Sequence, residues 1–197
     1  MSFEEIDGYL FGVKVSIGTP PVTGNFLLVD NPGMFIRSSS CTECGSTPAF
    51  YDPANSTTYT PGETFNFTDI SKYIDNFDFN MSFTFGYDDV CMLGAVATDG
   101  SSASANLCIP QQRFRMIDTY TSADKMLLPS QQFDGTFGMG RHAANSTGDG
   151  WLQRAVEAGL LNSTTWSYEP GRNGSVAGSM LLGGYNQTLI QGNITWI

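Results

Sequence analysis

Basic residues are scarce in this chain of 197 residues, which has 9 lysines and arginines against 19 acidic residues and a net charge of −10. A nucleic-acid partner is therefore disfavoured, because phosphate binding needs a basic surface. The only histidine, His142, lies in a loop-like stretch and gives little support for a general base. No run of residues approaches the roughly 18 apolar positions of a membrane span. Charged residues make up only 14%, which excludes a disordered acidic tail.

Aromatic residues and glycine are abundant instead, with 14 Phe, 8 Tyr, 3 Trp and 22 Gly. This mixture favours many short strands joined by turns. Residues 77–85 have apolar side chains at every odd position and polar ones at every even position, which predicts a half-buried antiparallel strand. Residues 13–17 alternate in the same way. No internal repeat or linker is visible, so residues 1–197 are predicted to form one domain.

One helix is predicted in the last third of the chain. Asp149 can cap it, Leu152, Ala155 and Val156 form an apolar stripe, and Gly159 ends it. Strands are predicted again at 179–184 and 192–197. The Ser, Thr, Pro and Gly clusters of 31–62 and 100–130 predict loop-rich segments.

Glycosylation signals are dense. Eight Asn-x-Ser/Thr sequons occur, of which chance in Ser/Thr/Asn-rich loops explains two or three; they stand at Asn55, Asn66, Asn80, Asn145, Asn162, Asn173, Asn186 and Asn193. This density indicates passage through the secretory pathway. No signal peptide is visible in the chain, so we expect a mature or excised segment of a secreted, extracellular or lysosomal protein.

Four cysteines, Cys41, Cys44, Cys91 and Cys108, agree with export because an even number suits disulfides in an oxidising compartment. Three connectivities are possible. A zinc site built from Cys41, Cys44 and the other two is an alternative, but secretion favours disulfides. No metal and no cofactor is predicted.

Several motifs stand in a fixed order along nearly the whole chain. They are IGTPP at 17–21, FLLVD at 26–30, FYDP with NSTTY at 50–59, FTFG at 83–86, FDGTFGMG at 133–140, the helix at 151–161, LGGYN at 182–186 and the strand at 192–197. As an ordered set they resemble the N-terminal lobe of a pepsin-like aspartic peptidase. The resemblance implies an all-β single lobe of packed antiparallel sheets with one or two short helices, and a C-terminal lobe that is absent from this chain.

The resemblance also implies an activity, which is endopeptidase cleavage of polypeptides at acidic pH in a cleft between two lobes. The reaction uses two carboxylates that share one proton. Asp30 is the candidate catalytic residue of this lobe, whereas Asp134 belongs to a structural signature. Phe85, Gly86 and Tyr87 correspond to the flap and substrate cleft. The resemblance further implies that Cys41 pairs with Cys44, which leaves Cys91 to pair with Cys108.

The loop after Asp30 departs from the family pattern, because Asn31-Pro32-Gly33 replaces Thr-Gly-Ser. Pro32 has no N–H to offer to a carboxylate, and losing a hydrogen bond to a charged group costs about 1.5–3 kcal/mol. Phe85 lacks the hydroxyl of the family's flap tyrosine. Arg37, or a neighbour, stands where the family has a tryptophan. Together these departures predict impaired catalysis.

Three functions remain open. The first is a secreted aspartic-type endopeptidase homologue whose lobe alone has little or no activity. The second is a non-catalytic protein that binds peptides or proteins, since fold does not determine function. The third is an active homodimer in which two copies of Asp30 meet across a two-fold axis. The predicted partners are a polypeptide substrate or ligand, and either a C-terminal lobe in the same chain or a second copy.

Overall fold

A computed structural model describes residues 2–6, 10–30, 33–42, 51–67, 79–96, 104–122, 133–140, 150–169, 177–190 and 192. Strands dominate this part of the chain. They are β1 (Ser2–Ile6), β2 (Leu10–Ile17), β3 (Val22–Val29), β4 (Met34–Thr42), β5 (Thr60–Phe67), β6 (Phe79–Val96), β7 (Ser104–Ser122), β8 (Gly135–Gly138), β9 (Trp166–Glu169) and β10 (Ala177–Leu182). The helix α1 spans Trp151–Glu157, and short 3-10 turns cover Pro53–Asn55 and Gln187–Leu189.

The described strands form one continuous sheet in the order β5-β6-β7-β4-β8-β3-β2-β1-β10-β9. A further pairing of β6 with β2 closes the six strands from β6 to β2 into a barrel-like ring. The predicted all-β lobe is confirmed. The sheet is mixed rather than purely antiparallel, however, because β3 runs parallel to β8 and β4 runs parallel to β7.

The alternation read from the sequence is reproduced in space at most described positions. Phe83 and Phe85 of β6 are buried, whereas Ser82 and Thr84, which precede them, are partly exposed. Residues 77 and 78 lie outside the described residues. On β2, Val13, Val15 and Ile17 are all buried and Lys14 is exposed, but Ser16, expected on the polar face, is also buried at 7% exposure. Full burial of a valine or isoleucine side chain contributes about 1.5–3 kcal/mol.

The prediction of loop-rich segments at 31–62 and 100–130 is wrong at 34–42, at 60–62 and at 104–122, where β4, the start of β5 and β7 lie, whereas 51–59 belong to no strand. Residues 43–50 and 123–130 lie outside the described residues. β7 is a strand of 19 residues that pairs with β6 from Ser122 to Ser104. Its Ser, Thr and Gln residues are compatible with a strand because β6 pairs with β7 along most of its length, and β4 pairs with it between 115 and 119.

The predicted helix is present, but its cap differs. The N-cap is Gly150, which makes no side-chain capping bond, and Asp149 lies outside the described residues. Trp151, Leu152 and Ala155 are buried against the barrel. Gly159 ends the helix as predicted, with φ +71°, a conformation that glycine adopts at little cost. The strand predicted at 192–197 lies outside the described residues except for Gly192.

No helix of the described residues is long and apolar enough to cross a membrane.

Candidate functional site

Asp30 directly follows β3, at the end of the strand pair formed by β3 and β8. β8 lies between β3 and β4, parallel to one and antiparallel to the other, with Val29 opposite Gly138 and Met34 opposite Phe137. The N–H of Met139 donates to the carbonyl of Val29 over 2.9 Å. Asp30 and Gly33, which follow β3 and precede β4, therefore both lie near the C-terminal end of β8. Asn31 and Pro32, in the loop between them, lie outside the described residues.

The side chain of Asp30 is exposed. Among the residues that the structure describes, none hydrogen-bonds to its carboxylate or forms an ion pair with it. The assignment of Asp30 as a catalytic residue stays a prediction.

Gly33 ends this loop and packs directly against an arginine. Its φ is +93°, and a Cβ atom added to it would overlap Nη1 of Arg115. Any other residue at this position would be strained by its backbone and would displace the guanidinium. Because Gly33 has no side chain, the guanidinium of Arg115 can lie directly beside it, three residues after Asp30.

The three residues assigned to the flap lie in the middle of β6. Gly86 is opposite Pro61 of β5 and Phe114 of β7, so this part of the strand is paired on both sides. Phe85 is 6% exposed, and Tyr87 is partly exposed. A Cβ atom at Gly86 would lie 2.6 Å from the ring of Tyr59. Whether this segment acts as a flap stays a prediction.

A buried carboxylate that the sequence analysis missed directly follows Tyr87 on β6. Asp88 is fully buried, and its Oδ2 accepts a hydrogen bond of 2.6 Å from the Tyr51 hydroxyl. Its Oδ1 accepts bonds of 2.5 Å from Thr58 Oγ1 and of 2.8 Å from the N–H of Asp89. Burial, and then the hydrogen bond to Asp88, raise the pKa of Tyr51. These bonds attach the 51–58 segment to β6.

Arg37 is buried and serves the packing of the lobe. It is 2% exposed, its Nη2 donates to the carbonyl of Phe133, and its N–H donates to the carbonyl of Asp134. Burial lowers the pKa of Arg37, while the nearby Asp134 carboxylate opposes that shift. Oδ2 of Asp134 accepts from the N–H of Asn25 over 2.8 Å. These contacts favour a structural role for Asp134.

The cysteines form disulfides. Cys91 and Cys108 face each other on β6 and β7 and are joined by a bond of 2.05 Å. Cys41 is also disulfide-bonded, and Cys44 lies outside the described residues. A zinc site built from all four cysteines is therefore excluded. Within the described ranges, no group of three or more His, Cys, Asp or Glu side chains could hold a metal ion.

Several sequons can be placed in the fold. Asn55, Asn162 and Asn186 are exposed, and Asn66 and Asn80 lie on β5 and β6. The sites at Asn145, Asn173 and Asn193, like His142, fall outside the described residues. Use of these sequons stays a prediction.

A groove of about 610 Å³ lies at the β9–β10 end of the sheet. Tyr168 and Leu181, which line it, are 48% and 37% exposed. The ring of Trp166 stacks on Tyr168 with centroids 6.1 Å apart. This end of the lobe thus presents apolar surface to solvent.

The chain belongs to the eukaryotic aspartyl protease family, whose model matches residues 10–197. It is similar to gastricsin of Rattus norvegicus, with 28% identity over 98% of the chain and 44% of that relative. Gastricsin of Oryctolagus cuniculus is 28% identical over 97% of the chain and 45% of its own length. The human gastricsin is 27% identical, again over 97% and 45%. The family resemblance is confirmed, and the chain spans less than half the length of these relatives.

Proposed function

We propose that this chain is the N-terminal lobe of an aspartic-type endopeptidase homologue, and that this lobe alone has little or no endopeptidase activity. The reaction needs a second carboxylate close to the first, so that the two share a proton. The observation that carries the proposal is the exposure of Asp30, to which no described carboxylate is hydrogen-bonded or closely paired. The Asn31-Pro32-Gly33 sequence supports it further.

The test compares the purified wild-type chain with Asp30→Asn on a denatured protein substrate between about pH 3 and pH 5. We expect both rates to equal the rate without protein. Glu63→Gln, which changes an exposed carboxylate on β5, serves as the matched control. A rate that Asp30→Asn abolishes and Glu63→Gln preserves would contradict the proposal. If such a rate rose with the square of chain concentration, the active homodimer would take its place.

The natural partner of this lobe is proposed to be a second lobe in the same polypeptide. The relatives are more than twice as long as the matched region, which supports this arrangement. The groove beside Tyr168 and Leu181 offers apolar surface that another lobe could cover. Hydrogen exchange should then be slower at β9 and β10 in a longer version of the protein than in the isolated chain.

Secretion and glycosylation are part of the same proposal. The Cys91–Cys108 disulfide and the exposed sequons at Asn55, Asn162 and Asn186 support it. Treatment of protein purified from its natural source with an N-glycosidase should reduce its mass. An unchanged mass would argue against passage through the secretory pathway.

A non-catalytic peptide-binding lobe is the second candidate. The observation that favours it is the set of arginine and aromatic side chains beside the Asp30 loop, where Arg115 packs against Gly33 and lies near Phe85. Peptides retained by the immobilised chain and recovered uncut, as judged by mass spectrometry, would support binding without cleavage.

A further inference from the structure

We propose that an N-linked glycan carried by Asn186 lies in the groove at the β9–β10 end of the sheet, where its first sugar units cover Leu181. The inference rests on the proposed passage through the secretory pathway. It goes beyond that proposal by assigning a place and a structural consequence to one glycan. The occupant of the groove is thus a saccharide that the chain itself carries.

The groove suits a saccharide in its size and in its lining. Its volume of about 610 Å³ falls within the range of roughly 300–1,000 Å³ that is usual for sites of small ligands. Among its lining residues, Ser167 lies opposite Leu181 and Glu169 lies opposite Ser179, so the four share one face of β9 and β10. Leu181 is 37% exposed, and Ser179 is exposed as well. An apolar side chain beside hydroxyl groups matches a sugar, which has C–H groups on its ring faces and hydroxyl groups at its edge.

Asn186 lines the same groove, shortly after β10 ends at Leu182. It is exposed, and its Oδ1 accepts hydrogen bonds from the N–H of Thr188 over 3.1 Å and from the Thr188 hydroxyl over 2.8 Å. Nδ2 is the atom that carries an N-linked glycan, and within the described residues it donates no hydrogen bond. The turn therefore holds the amide in place and leaves its nitrogen available for the sugar.

The other sequons with described side chains lack this combination. Nδ2 of Asn55 donates a hydrogen bond of 3.0 Å to Oδ2 of Asp52, so this nitrogen already contributes to a turn. Asn162 is exposed but does not line the groove. Asn186 thus combines an available nitrogen with a neighbouring groove.

Covalent attachment makes even a weak contact between the sugar and the groove effective. A ligand on a short flexible linker has an effective concentration in the mM range. A saccharide with a dissociation constant of about 1 mM would therefore occupy the groove about half of the time. The core sugars of an N-linked glycan are uncharged, so the net charge of −10 does not repel them.

One substitution removes the glycan and keeps both the Asn and the Thr of the sequon. Gln187 is the first residue of the 3-10 turn Gln187–Leu189, and within the described residues its N–H donates no hydrogen bond. Proline fits such a position, and Asn186, with φ −82° and ψ 103°, already has the extended conformation favoured before proline. Gln187→Pro therefore abolishes the sequon, because proline is not accepted between Asn and Ser or Thr.

The experiment compares the wild type with Gln187→Pro, both secreted from eukaryotic cells. Mass spectrometry of glycopeptides measures the occupancy of Asn186, and hydrogen exchange is followed in peptides that cover residues 179–182. We expect exchange there to be at least about twofold slower in the glycosylated wild type, because a half-occupied site protects by that factor. The same two chains made in the bacterial periplasm, where neither carries a glycan, should exchange equally.

Two further variants test the location of the glycan. Asn162→Gln removes an exposed sequon outside the groove and should leave exchange at residues 179–182 unchanged. Leu181→Ser should keep the glycan on Asn186 and lose most of the protection, because it removes the exposed apolar side chain on which the sugar lies. Protection that survives Leu181→Ser would overturn the groove site. So would equal exchange in the glycosylated wild type and Gln187→Pro.

The occupancy of the other sequons separates this inference from the wider proposal. If Asn55 or Asn162 carries a glycan and Asn186 carries none, the groove site falls while secretion and glycosylation stand. If no sequon is occupied, both fall. In a longer version of the protein with a second lobe, equal protection of residues 179–182 in the wild type and Gln187→Pro would identify that lobe as the occupant and overturn the saccharide.

Discussion

The hydroxyl of Tyr51 donates a hydrogen bond of 2.6 Å to Oδ2 of Asp88, inside the lobe and 37 residues away in sequence. Both residues are buried, at 2% and 0% exposure. Thr58 donates to the other oxygen of the same carboxylate. Asp88 thereby connects the segment around the 3-10 turn to β6, the strand that also carries Phe85. Because β6 also carries Phe85 of the candidate site, this buried contact stabilises a strand on which that site is built.

Removing the Tyr51 hydroxyl should destabilise the lobe. Tyr51→Phe leaves one oxygen of a buried carboxylate without its donor, and such a loss costs about 1–3 kcal/mol. Urea unfolding followed by tryptophan fluorescence measures the change. Tyr59→Phe is the matched control because, within the described residues, the Tyr59 hydroxyl makes no hydrogen bond. Equal losses in the two variants would show that the bond to Asp88 contributes little.

Alkaline pH should weaken the lobe through the same residue. Burial and the bond to Asp88 raise the pKa of Tyr51 in the folded chain, whereas an unfolded tyrosine ionises near pH 10. The folded state therefore retains a proton that the unfolded state loses above about pH 10. The stabilisation is complete below that pH and falls as the pH rises, by up to about 1.4 kcal/mol per pH unit.

Tyr51→Phe should reduce the steepness of this alkaline decline, measured as the free energy of unfolding between pH 8 and pH 11. Tyr168→Phe removes a phenol from an exposed position and controls for the loss of one tyrosine. If the wild type and Tyr51→Phe declined in parallel, the assignment to Tyr51 would fail. Tyr59, whose pKa is also raised by burial, accounts for some remaining slope in both proteins.

Substitutions at Arg37 and Asp134 test whether the electrostatic interaction between these two side chains contributes to the stability of the lobe. Arg37→Met leaves the nearby Asp134 carboxylate buried at 8% exposure, and breaking a buried charge pair costs about 3–5 kcal/mol. Asp134→Asn retains an oxygen to accept from Asn25. The double variant Arg37→Met/Asp134→Asn should therefore be more stable than Arg37→Met alone, in urea unfolding. Additive losses from the two substitutions would contradict a direct coupling between the residues.

Much of the fold could be predicted from local patterns. The alternation at 82–85 and, apart from the buried Ser16, at 13–17 corresponds to burial of one face, and burial of apolar side chains is what decides these strands. The helix at 151–157 follows from its apolar stripe and from Gly159. β4 and β7 could not be predicted in this way. Their composition, rich in polar residues, is typical of loops, and it is their pairing with distant strands that makes them extended.

The residues of the candidate site likewise fall into two groups: those that a local motif identifies and those that only contacts between distant segments bring together. Asp30 could be placed from its motif, because strand and loop are contiguous in sequence. Asp88 could not be singled out, since its partners Tyr51 and Thr58 lie 37 and 30 residues away. The contact between Arg115 and Gly33 likewise arises from the pairing of β4 with β7, which are far apart in sequence. A local signal did exist at 113–115, where Arg-Phe-Arg puts two arginines on one side of a strand.

The disulfide between Cys91 and Cys108 should stabilise the lobe mainly by restricting the unfolded chain. It closes a loop of 17 residues, for which the chain-entropy relation gives about 3 kcal/mol. The double variant Cys91→Ser/Cys108→Ser should lose about that much in urea unfolding, while the strand pairing on either side keeps the folded register. In excess dithiothreitol, the wild type also loses this bond, so the two proteins should become nearly equal in stability. The other disulfide, at Cys41, is reduced in both and cancels from the comparison. A difference that persisted in the reductant would show that packing of the sulfur atoms, rather than the covalent link, is responsible.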